Sequence, residues 1–123
     1  MTTAYVVLGH GSRAKEAKED LEATVDLVRA KMDTEHVYTA YMELNEPSLE
    51  DVIADIAQKG NITKAIVVPF FLFRGIHLQR DIPGKIERLN QKHENQLKIS
   101  FGKHLGVDQR IADIIVDRIH EVD

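Results

Sequence analysis

Two periodicities alternate along the chain. Short apolar, β-branched runs at residues 4–8, 37–42, 65–69 and 97–101 are separated by longer segments whose apolar residues recur every three or four positions. The first helical segment carries Ala14, Ala17, Leu21, Val25, Val28 and Met32 on one stripe. The second is expected to open at Pro47, where a missing N–H is tolerated, and to end before Gly60, with Leu49, Val52, Ile53 and Ile56 facing the core. A third is expected to begin near Asp81-Ile82-Pro83 and to carry Ile86 and Leu89. A fourth follows the capping residue Asp108 with Ile111, Ile114, Ile115 and Ile119.

Strict strand–helix alternation with nearly continuous apolar strands predicts an α/β fold: a single-domain, three-layer architecture in which helices cover both faces of a four-stranded parallel sheet. Right-handed crossovers place every strand-to-helix loop on one edge, and ligands of such sheets bind outside the carboxyl ends of the strands. The loops to inspect are therefore 9–13, 43–46, 70–80 and 102–106.

Composition narrows the chemistry. At 123 residues the chain is one domain, and with no cysteine it has neither disulfides nor thiolate ligands, so any metal must meet imidazole and carboxylate. A net charge of -4 argues against a general nucleic-acid binder. No apolar stretch approaches the roughly 20 residues that span a bilayer. The short start Met1-Thr2-Thr3 leads into a strand without a signal peptide, so a cytoplasmic protein without membrane contact is expected.

The loops on the predicted edge hold the candidate groups. His10 lies between Gly9 and Gly11 at the end of the first run, where small neighbours clear space around an imidazole. The second loop supplies Glu43, the third His77 and the fourth His104; by themselves Glu43 and His104 read as more structural than His77, as do His36, His93 and His120 at helix ends or faces. Two imidazoles and a carboxylate hold Fe²⁺, Co²⁺, Ni²⁺ or Zn²⁺ while leaving positions open for an incoming ligand. The third loop, about a dozen residues without a period, begins with Phe70-Phe71-Leu72-Phe73, a wall for a flat apolar molecule or a seal for the core or a dimer contact. Arg13, Lys15, Arg74, Arg80, Lys103 and His104 make the same edge cationic, which favours an anionic ligand.

Three motifs in this order, Leu8-Gly9-His10-Gly11-Ser12-Arg13, Tyr41-Met42-Glu43 with Pro47, and Val68-Pro69 to Pro83 with His77 and Asp81-Ile82-Pro83 inside it, resemble the small class II chelatases of sirohaem and cobalamin synthesis, the CbiX or SirB family. The resemblance covers essentially the whole chain. It implies a chelatase-like fold, one lobe of the bilobal arrangement of longer relatives, and insertion of Co²⁺ or Fe²⁺, with Ni²⁺ a further choice, into sirohydrochlorin or a related tetrapyrrole without an organic cofactor. It further implies His10 and His77 as metal ligands and bases with Glu43 beside them. Residues Phe70, Phe71, Leu72 and Phe73 would then form the macrocycle wall, and Ser12, Arg13, Arg74 and Arg80 would bind its carboxylates. Short members pair as homodimers, so the chain fits either a complete short chelatase or the N-terminal half of a longer one lacking its C-terminal lobe.

Two other functions use similar residues. A histidine-phosphatase-like enzyme would phosphorylate His10, but its usual pattern has arginine just before the histidine where this chain has Gly9. A non-catalytic metal or tetrapyrrole carrier needs nearly the same site as a chelatase.

Overall fold

The computed structural model of the chain describes residues 2–123, except for the side chains of residues 76–79. Its elements follow the order β1 (Thr2–Gly9), α1 (Lys15–Met32), β2 (Val37–Tyr41), α2 (Leu49–Gln58), β3 (Ile62–Pro69), α3 (Ile76–Lys92), β4 (Lys98–Phe101) and α4 (Gln109–Val122). The strands form one four-stranded sheet in the order β2-β1-β3-β4, and all pairs are parallel, as the alternation predicts. Among the described residues no helix is long and apolar enough to cross a membrane.

Strand alternation sorts the core onto two faces. Ala4, Val6 and Leu8 of β1 and Ala65 and Val67 of β3 point to the face covered by α2 and α3, where Leu49, Val52, Ile53, Ile56, Ile82, Ile86 and Leu89 are buried with them. The opposite face is smaller: Leu21 and Val25 of α1 pack on Val37 and Tyr41, with Tyr5, Val7 and Val28 at the margin. Only the middle of the predicted α1 stripe is buried, because Ala14, Ala17 and Met32 lie at its exposed ends.

The second helix starts two residues later than its proline suggested. The Pro47 carbonyl accepts the Tyr41 N–H at 3.0 Å and Ser48 bridges Tyr41, so this segment is still extended; the bond between Glu46 and Pro47 is cis. Ser48 is the N-cap instead, its hydroxyl accepting the Asp51 N–H at 3.1 Å.

The third helix starts earlier than expected, at Ile76, and runs through Pro83. An interior proline removes one N–H from the helix ladder and costs about 3 kcal/mol. Ile82, Ile86 and Leu89 are all buried against the sheet, and that burial, at about 1.5–3 kcal/mol per large apolar side chain, more than offsets the cost. The long third loop of the sequence reading thus shrinks to residues 70–75, and Arg80 sits on a helix, not in a loop.

The fourth helix forms with the predicted cap, Asp108 accepting the Arg110 N–H at 2.9 Å. The Arg110 guanidinium, donating two hydrogen bonds to the same carboxylate, holds the Asp108 carboxyl well below the usual range. None of the residues of α4 is buried. Its isoleucine stripe has the expected helical period but no core beneath it.

Candidate functional site

The site is built where β1 and β2 end. Residues Leu8 and Gly9 pair with Ala40 and Tyr41 in the last rungs of the parallel ladder. Beyond it the two loops stay joined: the Gly9 carbonyl accepts the Met42 N–H at 2.9 Å and the His10 carbonyl accepts the Glu43 N–H at 3.2 Å. This extension of the ladder sets His10 and Glu43 side by side, with His10 Nε2 3.6 Å from Glu43 Oε1. Both side chains are about three-fifths exposed, at 59% and 61%, so an incoming ion reaches them from solvent.

That separation has chemical meaning. Ligands about 2.1 Å from a tetrahedral metal lie about 3.4 Å apart, so two donor atoms at 3.6 Å are spaced to share one ion with little movement. Among the described residues no third histidine or carboxylate joins them. The remaining predicted ligand, His77, falls within the span of α3, but its side chain lies outside the described residues.

The flanking glycines do more than clear space for the imidazole, which was their expected role. A Cβ on Gly11 would stand 1.8 Å from the Glu43 carbonyl oxygen, and its φ of +108° is one that side chains rarely adopt. A Cβ on Gly9 would meet Leu21 Cδ2 at 2.5 Å. The glycines let the second loop and α1 close upon the first loop, and the clearance around His10 follows from that packing.

A residue without any periodic signal locks this corner. The Asn45 amide oxygen accepts the Ser12 N–H at 2.7 Å, bridging the two loops, while the Ser12 hydroxyl accepts the Ala14 N–H at 3.0 Å at the start of α1. Leu44 between Glu43 and Asn45 has φ 67°, which turns the second loop back toward the first. Of this corner, the placing of His10 and Glu43 on one edge was expected; Asn45 was not, since loop amides leave no pattern in a sequence.

Next to this corner opens a cleft of about 350 Å³ lined by Gly9 to Ser12, by Lys18, Leu21 and Thr24 of α1, by Tyr41 and Asn45, and by Phe70. Lys18 spans its rim, donating to the Glu46 carbonyl at 3.0 Å while its ammonium lies 5.9 Å from the Tyr41 ring centroid. Burial, with Glu22 nearby as a second cause, pushes the Tyr41 phenol up to about 12, so it stays neutral at any physiological pH.

The predicted aromatic wall divides. Phe70 lines the cleft, and Phe71 turns inward, meeting the His10 ring edge-on at 5.7 Å and packing on the core. Leu72 and Phe73 stay exposed. Phe71 and Phe73 also line a second hollow of about 230 Å³ with Arg74, Lys103 and His104. Phe71 is therefore a wall common to His10 and to a cationic hollow. Arg13 is exposed beside the corner, and Lys15 is held on the outside of α1 by Glu19 at 3.9 Å.

A parallel α/β domain with its open clefts at the carboxyl edge of the strands belongs to the large class of doubly covered sheets that bind ligands there. Within that class the chain has a family. The CbiX family model matches residues 4–122, and the chain belongs to this family. It is 37% identical to a sirohydrochlorin cobaltochelatase of Methanosarcina acetivorans, over 94% of this chain and 93% of that protein. It is 30% identical to a sirohydrochlorin ferrochelatase of Priestia megaterium, over 96% of this chain but 44% of that longer protein. The structure of the sirohydrochlorin chelatase SirB from Bacillus subtilis in complex with cobalt superposes with a TM-score of 0.89 at 29% identity, over 99% of this chain and 51% of that one.

Proposed function

We propose that this chain is a sirohydrochlorin chelatase lobe that inserts Co²⁺ or Fe²⁺ into the macrocycle at the edge where His10 meets Glu43. The observation that carries the reading is the pair itself: an imidazole and a carboxylate at 3.6 Å, open to solvent and braced from behind by Phe71. Family membership and the activities of the relatives named above support the same reaction. The metal is a substrate, and no organic group is needed to move it.

Insertion exchanges two pyrrole N–H protons for one M²⁺, so the site has to hold the ion loosely and take protons. His10 offers Nε2 as ligand and Glu43 completes a two-point grip; as the ion leaves for the ring, the two freed donors, His10 Nε2 and the Glu43 carboxylate, each take one of the two pyrrole protons. His77 is assigned as the third ligand. Peripheral carboxylates of the macrocycle are assigned to Arg74, with Lys103 and His104 beside it, and to Ser12, Arg13 and Arg80, because guanidinium pairs bidentately with carboxylate. Residues Phe70 to Phe73 take the flat face of the ring. Two copies acting as a homodimer in the cytoplasm supply the two lobes that longer relatives carry in one chain.

Sirohydrochlorin consumption followed by absorbance with Co²⁺ or Fe²⁺ tests this directly. His10→Ala and His77→Ala should each abolish insertion while circular dichroism stays unchanged; near-normal chelation by both removes the assignment. Neutralising Arg13 or Arg80 should raise KM more than it lowers kcat. Binding of the macrocycle without any acceleration over the uncatalysed rate would favour a carrier.

A further inference from the structure

The two edge strands of the sheet are finished differently. In a parallel pair the N–H and C=O of one residue point to the same side, and those of its neighbours point to the other. On β4 the Gly102 N–H donates to the Val67 carbonyl of β3 at 2.7 Å, so Ile99, an odd number of residues away, turns both of its groups outward. One carboxamide meets them: Asn90 Nδ2 donates to the Ile99 carbonyl at 2.8 Å, and the Ile99 N–H donates to Asn90 Oδ1 at 2.7 Å. The chain closes this edge by itself.

Strand β2 forms the other edge. The Met42 N–H donates to the Gly9 carbonyl, so Tyr38 and Ala40 face β1 while Val37, Thr39 and Tyr41 face outward. Arg29 Nε donates to the Val37 carbonyl at 2.9 Å, and the Tyr41 N–H donates to the Pro47 carbonyl at 3.0 Å. Between these two plugs Thr39 holds an outward N–H and C=O that no group among the described residues meets, and its Oγ1 is buried without a partner as well. At 7% exposure three polar groups without a hydrogen bond call for a ligand. A hollow of about 290 Å³ opens over Thr39, between Glu22 and Arg29 of α1 and Asp55 and Lys59 of α2. It shares no lining residue with the cleft beside His10.

We infer that this hollow binds a free amino acid with a side-chain carboxamide, whose amide does for Thr39 what Asn90 does for Ile99. The amide oxygen accepts the Thr39 N–H, one amide N–H donates to the Thr39 carbonyl, and the second is left for Oγ1. An added strand does not fit, because Arg29 and Pro47 occupy the edge on either side of Thr39. The walls carry both signs of charge, as a zwitterion requires. Arg29 is already committed to Asp26 and Val37, but among the described residues neither Asp55 nor Lys59 is held in an ion pair. Lys59 is assigned to the ligand carboxylate, and Asp55 with Glu22 to its ammonium. Binding of this kind needs neither metal nor macrocycle, so it stands apart from the function proposed above.

Amide-resolved NMR of the full, metal-free chain tests it with L-glutamine and L-asparagine as probes. At least one of the two should shift the Thr39 amide resonance saturably at or below about 10 mM and slow its hydrogen exchange at least roughly tenfold. L-glutamate, which has the shape of glutamine without its amide donors, should bind at least roughly tenfold more weakly. Thr39→Val and Lys59→Gln, each with an unchanged circular dichroism spectrum, should weaken binding in the same direction. A Thr39 amide that neither probe moves would overturn the inference, and so would glutamate binding as tightly as glutamine, a comparison that needs no variant to fold.

Discussion

On the side of the sheet under α2 and α3, Val6, Leu8, Ile53, Ile56 and Val67 are almost wholly removed from water; on the side under α1, burial stops at Leu21, Val25, Val37 and Tyr41 and leaves Ile66 and Val68 half-covered. The first face is a core that the chain completes by itself. The second borders the cleft beside His10, and its other half stays partly exposed. Stability and function thus sit on opposite sides of one sheet. A domain that must admit a ligand leaves surface uncovered where it arrives, and the energy that holds it folded has to come from elsewhere.

The largest expected effect tests the division of stability. Ile53→Ala should cost about 3–4 kcal/mol in urea unfolding, as truncation of a fully buried isoleucine does. Val25→Ala, under α1, should cost about 1–2 kcal/mol, mainly the two carbons it removes. Equal costs would show that the two faces share the load.

The next effect separates the corner from the core. Gly11→Ala forces the Glu43 loop away from His10, so kcat/KM for metal insertion should fall roughly hundredfold, the scale on which a misplacement of about 1 Å acts. Asn45→Ala, which loses the 2.7 Å bond from Ser12, should lower kcat/KM in the same direction by less. If chelation survives Gly11→Ala unchanged, the pairing of His10 with Glu43 is not what the reaction uses.

The smallest effect lies in alkaline solution. The buried Tyr41 phenol is raised to about 12 in the folded chain against an ordinary 10, so the unfolded chain loses its proton first. Its contribution is complete below pH 10 and is lost as pH rises from 10 through 12, a decline of at most about 2.7 kcal/mol. Tyr41→Phe should flatten that decline in denaturant titrations between those pH values. A wild-type curve already flat there would place Tyr41 in contact with water.

Much of this arrangement is legible in the sequence, and the parts that are not share a cause. The parallel sheet and its helices can be read because strand and helix periods differ and each apolar run is long enough to show its own. The meeting of His10 with Glu43 follows from the rule that loops after parallel strands share an edge. Pro83 misleads because a proline ordinarily marks a helix start, and here Ile82 and Ile86 on either side hold the helix through it. Pro47 misleads for the opposite reason, its carbonyl being committed to Tyr41 while Ser48 does the capping. The isoleucines of α4 announce a face without saying what covers it. Asn45 and Gly11 depend on how two loops approach in space, and such contacts leave no trace in spacing.

The central claim is that a divalent metal is received at the corner where His10 meets Glu43, and histidine-resolved NMR during a Co²⁺ titration reads this without any macrocycle present. The account expects the His10 ring resonances to be broadened first, those of His36, His93 and His120 to remain sharp at the same Co²⁺ concentration, and Glu43→Gln to shift the His10 response to higher concentrations. A His10 signal untouched while another histidine broadens would contradict it.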